Sequence, residues 1–434
     1  MGDKRIVIEI LKEGLRSADP YSSTLNALSK ELSYLKSFNK RIVVGFGKAS
    51  YKMALACEKL LGYAITAGAI IVPRGYKQKG HLRRIEVYEG THPVPSNINI
   101  KSTKQILSLL ENLSEKDLVV CLISGGGSAL FSLPKKGISI RDKQNVTKLL
   151  LDAGANIQEL NCVRKHISAV KGGQLIKQIY PAHTLSLIIS DVIGDDLSTI
   201  ASGPTSPDPS TFKDALFVLR KYGVMRMVPR NVVEHLRLGL EGKVQETPKP
   251  GNAIFKRAKN IIIANNMSAL SSMSDKALSY NIKPLILTSY LEGEAREAGR
   301  VIGSIAKQIL YQNLPVKPPC ALLIGGETTV TVIGAGRGGR NQELALSFAI
   351  SIKGLKRVVL ASIGSDGVDG NSKDAGAIVD GTTIERALQK GLDPLMFLKN
   401  NDSNTFFNKL GGCLIHTGPT GTNVSDLAVL FISS

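Results

Sequence analysis

Apolar residues in this chain come mostly in short unbroken runs, not in strict alternation. Runs of Val, Ile and Leu at 41–46 ("RIVVGF"), 68–73, 117–124 ("DLVVCLIS"), 185–190 and 260–266 each predict a strand. Further runs at 284–289, 320–326, 329–334, 357–364 and 426–432 do the same. Between many of them the apolar positions recur every three to four residues, at 102–113, 141–153, 294–310 and 341–352, which predicts amphipathic helices. Strands without a polar face are buried on both sides, so the pattern describes mainly parallel sheets covered by helices: α/β architecture. The stretch "GLEGKVQETPKPGNA" (239–253) is polar, holds two prolines and precedes a fresh strand–helix–strand pattern. It sets the expected boundary between an N-terminal α/β domain, 1–245, and a C-terminal one, 246–434.

Composition narrows the function classes. With 434 residues, 43% hydrophobic and 21% charged, the chain has the profile of an ordinary soluble globular protein. No run is long enough to span a bilayer, and the N-terminal "MGDKRIVIEILKEGLRSADPY" predicts an amphipathic helix, not a signal peptide. Five scattered cysteines without CxxC spacing are expected to be reduced core thiols of a cytoplasmic protein. The formal net charge of +19 is the anomaly. Lys and Arg are spread thinly, aromatics amount to 5% and there is no Trp, which argues against nucleic acid as partner. A field that concentrates an anionic small substrate fits better.

In open α/β sheets ligands bind beyond the carboxyl ends of strands, and polar clusters follow several predicted strand ends. "GKAS" places Lys48 at a helix start, where a cation is unfavourable unless an anion joins it. "SGGGS", Ser124–Gly125–Gly126–Gly127–Ser128, allows backbone amides to approach a phosphate closely. "DVIGDDLSTIASGPTS" carries Asp191, Asp195 and Asp196. "GGETTVTVIGAGRGGRNQE" carries Glu327, Arg337 and Arg340, and "GSDGVDGNSKDAG" carries Asp366, Asp369 and Asp374. Taken singly, each is also what a turn, an Asx motif or a helix cap requires. No P-loop, GxSxG elbow, HExxH or kinase HRD–DFG set is present. Basic residues, glycine turns and carboxylates without a catalytic His or Cys match phosphoryl transfer, which needs positioning and charge neutralisation.

Together "GFGKAS", "THPVPS", "LISGGGSALFSLP", "VRKHISAVKGGQL", "ISDVIGDDLSTIASGPTSPDPSTF", "GGETTVTVIGAGRGGRNQELAL", "GSDGVDGNSKDAGAIVDGTT" and "TGPTGTNVSDLAVLFI" resemble glycerate 2-kinase of the two-domain type, with a MOFRL-type C-terminal region. The resemblance runs from about residue 41 to the C-terminus. It implies two Rossmann-like domains flanking a cleft and ATP-dependent phosphorylation of D-glycerate at the 2-hydroxyl, with Mg²⁺ or another divalent cation. It implies that Ser124–Ser128 faces the nucleotide phosphates. Lys48 would neutralise the transferring phosphate or the glycerate carboxylate, and Arg340 would hold the carboxylate or the γ-phosphate. Asp191 and Asp195, with Glu327 as a further carboxylate, are the candidates for metal coordination or hydroxyl orientation. Asp366 is a substrate-binding candidate; the general base and the oligomeric state, a homodimer among the options, stay open. The alternative, a nicotinamide-dependent hydroxypyruvate reductase, requires a GxGxxG turn that "GFGKAS" lacks.

Overall fold

The computed structural model describes residues 2–76 and 80–434. The chain forms two compact units, Pro20–Ile263 and Met1–Asp19 together with Ala264–Ser434. The division thus falls at 263/264, not at 245/246. The polar stretch expected to link domains is pinned to the first unit: Thr247 Oγ1 donates to Asp208 Oδ2 (3.0 Å), and the Asp208 amide donates to the Pro248 carbonyl (2.9 Å). The first helix, Asp3–Ser17, buries Val7, Ile10, Leu11 and Gly14 within the other unit, against the helix Asn266–Leu278. A Cβ on Gly14 would lie 2.7 Å from Met273 Sδ, so the two helices approach through that missing side chain.

The first unit holds a six-stranded sheet ordered β3-β2-β1-β4-β5-β6. Its strands are β1 Lys40–Phe46, β2 Ala67–Pro73, β3 Glu86–Gly90, β4 Asp117–Ile123, β5 His183–Ile189 and β6 Ala258–Ala264. The pairs β1–β2, β2–β3, β1–β4 and β4–β5 are parallel. This is the strand order of doubly wound dinucleotide-binding sheets, and the order reverses between β1 and β4. Helices start at side-chain caps that the sequence supplies, as at Ser96, Ser139, Asn156 and Thr211, each closing a capping box.

The second unit holds β7 Lys283–Leu291, β8 Cys320–Gly326, β9 Val358–Gly364, β10 Gly376–Asp380, β11 Leu414–Ile415 and β12 Asp426–Ile432, ordered β11-β10-β9-β12-β8-β7. In this sheet β7–β8 is parallel, whereas β12 runs antiparallel between β8 and β9 and β10 antiparallel to both its neighbours. The α/β class holds, while the mainly parallel pairing belongs to the first sheet. An apolar run reports burial on both faces, not strand direction. The run at 329–334 is not a strand; its amides bond the side chain of Asn401 at Ile333 and Gly334 (2.9 and 3.0 Å). All five cysteines are buried and unpaired, and burial pushes the Cys121 thiol up to about 12. Among the described residues no helix is long and apolar enough to cross a membrane.

His166 fixes the end of the pinned stretch. Its ring bonds the Cys162 carbonyl (2.7 Å) and Glu246 Oε1 (2.9 Å). Burial disfavours the charged ring, but these acceptors outweigh it and hold His166 up at about 9. Burial likewise opposes ionisation of Glu246, yet hydrogen bonds from His166, Phe212 and Thr247 bring it to about 2. A raised histidine stabilises below its unfolded value of about 6.5, and that contribution is lost as pH rises through 9. A depressed glutamate stabilises above about 4.5, lost as pH falls toward 2. Glu246→Gln is therefore expected to lower Tm by roughly 2–5 °C near pH 6, with the gap closing above pH 9. A pH-independent gap in thermal melts would contradict the pairing.

Candidate active site

The reversal point between β1 and β4 brings two of the predicted loops together. Gly47, at φ +131°, leaves β1 so close to β4 that a Cβ would lie 2.2 Å from Ser124 Oγ. Only glycine fits there. Lys48 N donates to the Gly125 carbonyl (2.9 Å) and Ala49 N to Ser124 Oγ (3.0 Å), so the lysine turn and the glycine loop form one structure. Ser124 is buried, and the loop closes into a short helix, Gly127–Leu130. Gly126 has a left-handed backbone, φ +81°, and the Lys48 Cγ lies 3.5 Å from the position of its absent Cβ. Among the described residues the N–H groups of Gly125 and Gly126 donate to no acceptor, leaving two bare amides beside a lysine stem. That is what an oxyanion of phosphate type requires.

Two residues that the sequence reading left without a role complete this end. His92, two residues past β3, has Nε2 3.0 Å from the Gly126 Cβ position. Burial, then the charge of Lys48, lowers its ring from the usual value. Lys171 lies underneath, 1% exposed, donating to the carbonyls of Gly127 (2.9 Å) and Ala201 (2.8 Å) above the rings of Phe46 and Phe131. It fixes the loop from below. The only sequence signal for either was membership of the motifs "THPVPS" and "VRKHISAVKGGQL".

Asp191 and Asp195 follow β5, whose carboxyl end shares the sheet edge with those of β1 and β4. Asp195 takes a positive φ of 57°, while Asp196 is occupied as a cap, accepting from Ser198 N (2.9 Å) and Thr199 Oγ1 (2.6 Å). Among the described residues no three His, Cys, Asp or Glu side chains converge on a cation site, and Glu327 belongs to the other unit. Mg²⁺ is usually held by one or two carboxylates plus the substrate's own phosphates. Asp191 and Asp195 fit that donor set.

The second unit carries its own constellation at the carboxyl ends of β8 and β9. Asp426 opens β12 between them, opposite Gly326 and Gly364. Arg340, first residue of the helix Arg340–Ser351, donates from Nε to Asp426 Oδ2 (2.6 Å) and from a terminal nitrogen to Oδ1 (3.0 Å). Its other terminal nitrogen reaches Glu327 Oε1 (2.8 Å). The planar fork expected to grip a substrate is filled by Asp426, a residue without an assigned role in the sequence reading. Burial and then Asp369 push the Asp426 carboxyl up to about 6 against the pull of Arg340. Burial opposes the charge on Arg340, but Asp426 and Glu327 hold it above its usual value. Asp369 caps the helix, accepting from the amides of Asn341 (3.1 Å) and Gln342 (2.9 Å). Asp366 makes an Asx turn, accepting from Val368 N (3.1 Å).

Comparison with known proteins agrees with this architecture. Residues 6–237 match the family described as a domain of unknown function (DUF4147), and residues 320–426 match the MOFRL family. The D-glycerate 2-kinase of Thermotoga maritima is 42% identical over 98% of this chain and 97% of its own length. The glycerate 2-kinase of Pyrococcus horikoshii is 43% identical over 100% and 98%. A protein of Agrobacterium vitis named as a hydroxypyruvate reductase is 40% identical over 99% and 94%. The solved structure of glycerate kinase (EC 2.7.1.31) from Thermotoga maritima superposes with a TM-score of 0.90 over 99% of each chain, at 42% identity. The chain belongs to the glycerate 2-kinase family of the two-domain type, a DUF4147 segment followed by a MOFRL segment.

Proposed function

We propose that this protein transfers the γ-phosphoryl group of ATP to the 2-hydroxyl of D-glycerate, giving 2-phosphoglycerate and ADP. The observation that carries the reading is the pair of bare amides at Gly125 and Gly126 beside Lys48, at the reversal point of a doubly wound sheet. The loop holds nucleotide phosphate, and Lys48 neutralises the charge spread over the transferring group. Asp191 and Asp195 would hold Mg²⁺ or orient the substrate hydroxyl, and an ion held there would supply positive charge to offset that of the phosphates. In the other unit, Arg340, held by Asp426 and Glu327, contributes positive charge, and Asp366 is the substrate-binding carboxylate.

Purified protein with D-glycerate, ATP and Mg²⁺ should release ADP, whereas hydroxypyruvate with a reduced nicotinamide should give no oxidation. Oxidation of the nicotinamide without ADP release would overturn the kinase reading. The loop has a separate test. Gly126→Val places a β-branched residue in a left-handed backbone and its Cβ 3.0 Å from His92. It is expected to raise the KM for ATP by roughly 10- to 100-fold, with a much smaller effect on that for glycerate. An equal rise for both substrates would reduce the loop to a structural turn.

A further inference from the structure

One group in the first unit lacks a counter-charge. Arg164 lies in the last turn of the helix Ile157–His166, is partly buried, and among the described residues its side chain makes no hydrogen bond or ion pair. Its neighbours in charge are two buried lysines. Lys143 donates to Ser132 Oγ (2.8 Å) and Lys171 to two carbonyls under the glycine loop; no carboxylate bonds either. Burial, then the charge of Arg164, pulls Lys143 down to about 7, and burial with both cations pulls Lys171 well below its usual value. A lysine can relieve such a conflict by losing its proton; a guanidinium cannot. The arginine charge therefore persists, and the missing partner is an anion from outside the protein. The C-terminal dipole of its helix favours a cation there but does not replace a counter-ion.

The surroundings indicate which anion. Asn161 lies one turn earlier on the same helix, 2% exposed, accepting from Ser202 Oγ (2.9 Å), which in turn meets Ser128 Oγ (3.0 Å) at the end of the glycine loop. Asn161 is thus linked through one hydroxyl chain to the loop that takes phosphate, with Arg164 one turn along the same helix; a planar fork matches a carboxylate bidentately. We propose that Arg164 binds the carboxylate of the 2-hydroxy acid substrate, the role that Arg340 cannot fill with its fork on Asp426. A carboxylate held at Arg164 makes the hydroxyl on the adjacent carbon the nearest one to be presented. The inference deepens the kinase reading and rests on it for the identity of the acid.

Titration calorimetry on the full-length wild type, Arg164→Gln and Arg164→Lys tests it, with D-glycerate, glycolate, inorganic phosphate and ATP as separate probes. Loss of a bidentate charged contact predicts D-glycerate and glycolate binding weakened about 100-fold in Arg164→Gln and about 10-fold in Arg164→Lys, with ATP within twofold of wild type. Because the replaced charge has no partner, Tm of Arg164→Gln should hold or rise. Unchanged glycerate affinity, weakened phosphate or ATP binding instead, or a fallen Tm with all ligands lost alike would each overturn the proposal. If the wild type does not phosphorylate D-glycerate, the activity reading fails alone; glycolate, a carboxylate probe independent of turnover, still decides the subsite, and a wild type that binds neither acid overturns it.

Discussion

Lys48→Ala is expected to lower kcat by about a thousandfold, the scale seen when a preorganised charge at a developing oxyanion is removed, while Tm stays within a degree or two of wild type. The asymmetry follows from where the residue sits. Its backbone amide, not its side chain, joins the β1 turn to Gly125, and alanine keeps that bond. Its stem passes beside Gly126 and the two bare amides, so alanine removes the charge delivered there. Steady-state kinetics with a parallel melt decide this. Near-normal kcat/KM would remove Lys48 from the chemistry, and a large fall in Tm would make it structural.

Arg340→Lys is expected to cost both activity and stability, because lysine cannot reproduce two parallel bonds to Asp426 together with one to Glu327. The Arg340–Asp426 pair is only half-buried, so breaking it from one side should cost about 1–3 kcal/mol, and kcat/KM should fall by roughly 100-fold with it. Adding Asp426→Asn removes the orphaned charge. The double variant should recover Tm but not turnover; recovery of both would show that Arg340 serves only the fold. The same clamp gives a pH signature. With Asp426 raised to about 6, its ionised form appears as pH rises through 6. A raised carboxylate pKa means ionisation opposes folding, so this group's stability contribution, full below about 4, declines between pH 4 and 6. Activity should climb as pH rises through about 6, at the upper end of the interval in which the melting temperature of wild type, relative to Asp426→Asn, drops.

The strand ends were legible because their chemistry is local. A glycine run after an apolar strand announces close backbone approach, and Gly47 with Ser124–Ser128 delivers it. What the sequence hid depends on long-range pairing. Asp426 looks like one more polar residue before a strand, and only the antiparallel insertion of β12 between β8 and β9 sets it against Arg340. Arg164 and Lys171 are ordinary basic residues in a chain of net charge +19 until folding buries the lysine and partly encloses the arginine. The domain boundary moved for a similar reason: nothing in "QETPKP" discloses that His166, 80 residues earlier, reaches back to Glu246. The strand β3, "EVYEG", escaped because an edge strand need not be apolar.

Phosphorus NMR of the product formed from ATP and D-glycerate tests the central claim most directly. A phosphate on the 2-oxygen couples to the single proton at that carbon and gives a doublet; one on the 3-oxygen couples to two protons and gives a triplet. The account predicts the doublet of 2-phosphoglycerate, formed with ADP. A triplet would contradict the assigned hydroxyl, and no phosphoglycerate signal under saturating ATP, D-glycerate and Mg²⁺ would contradict the kinase itself.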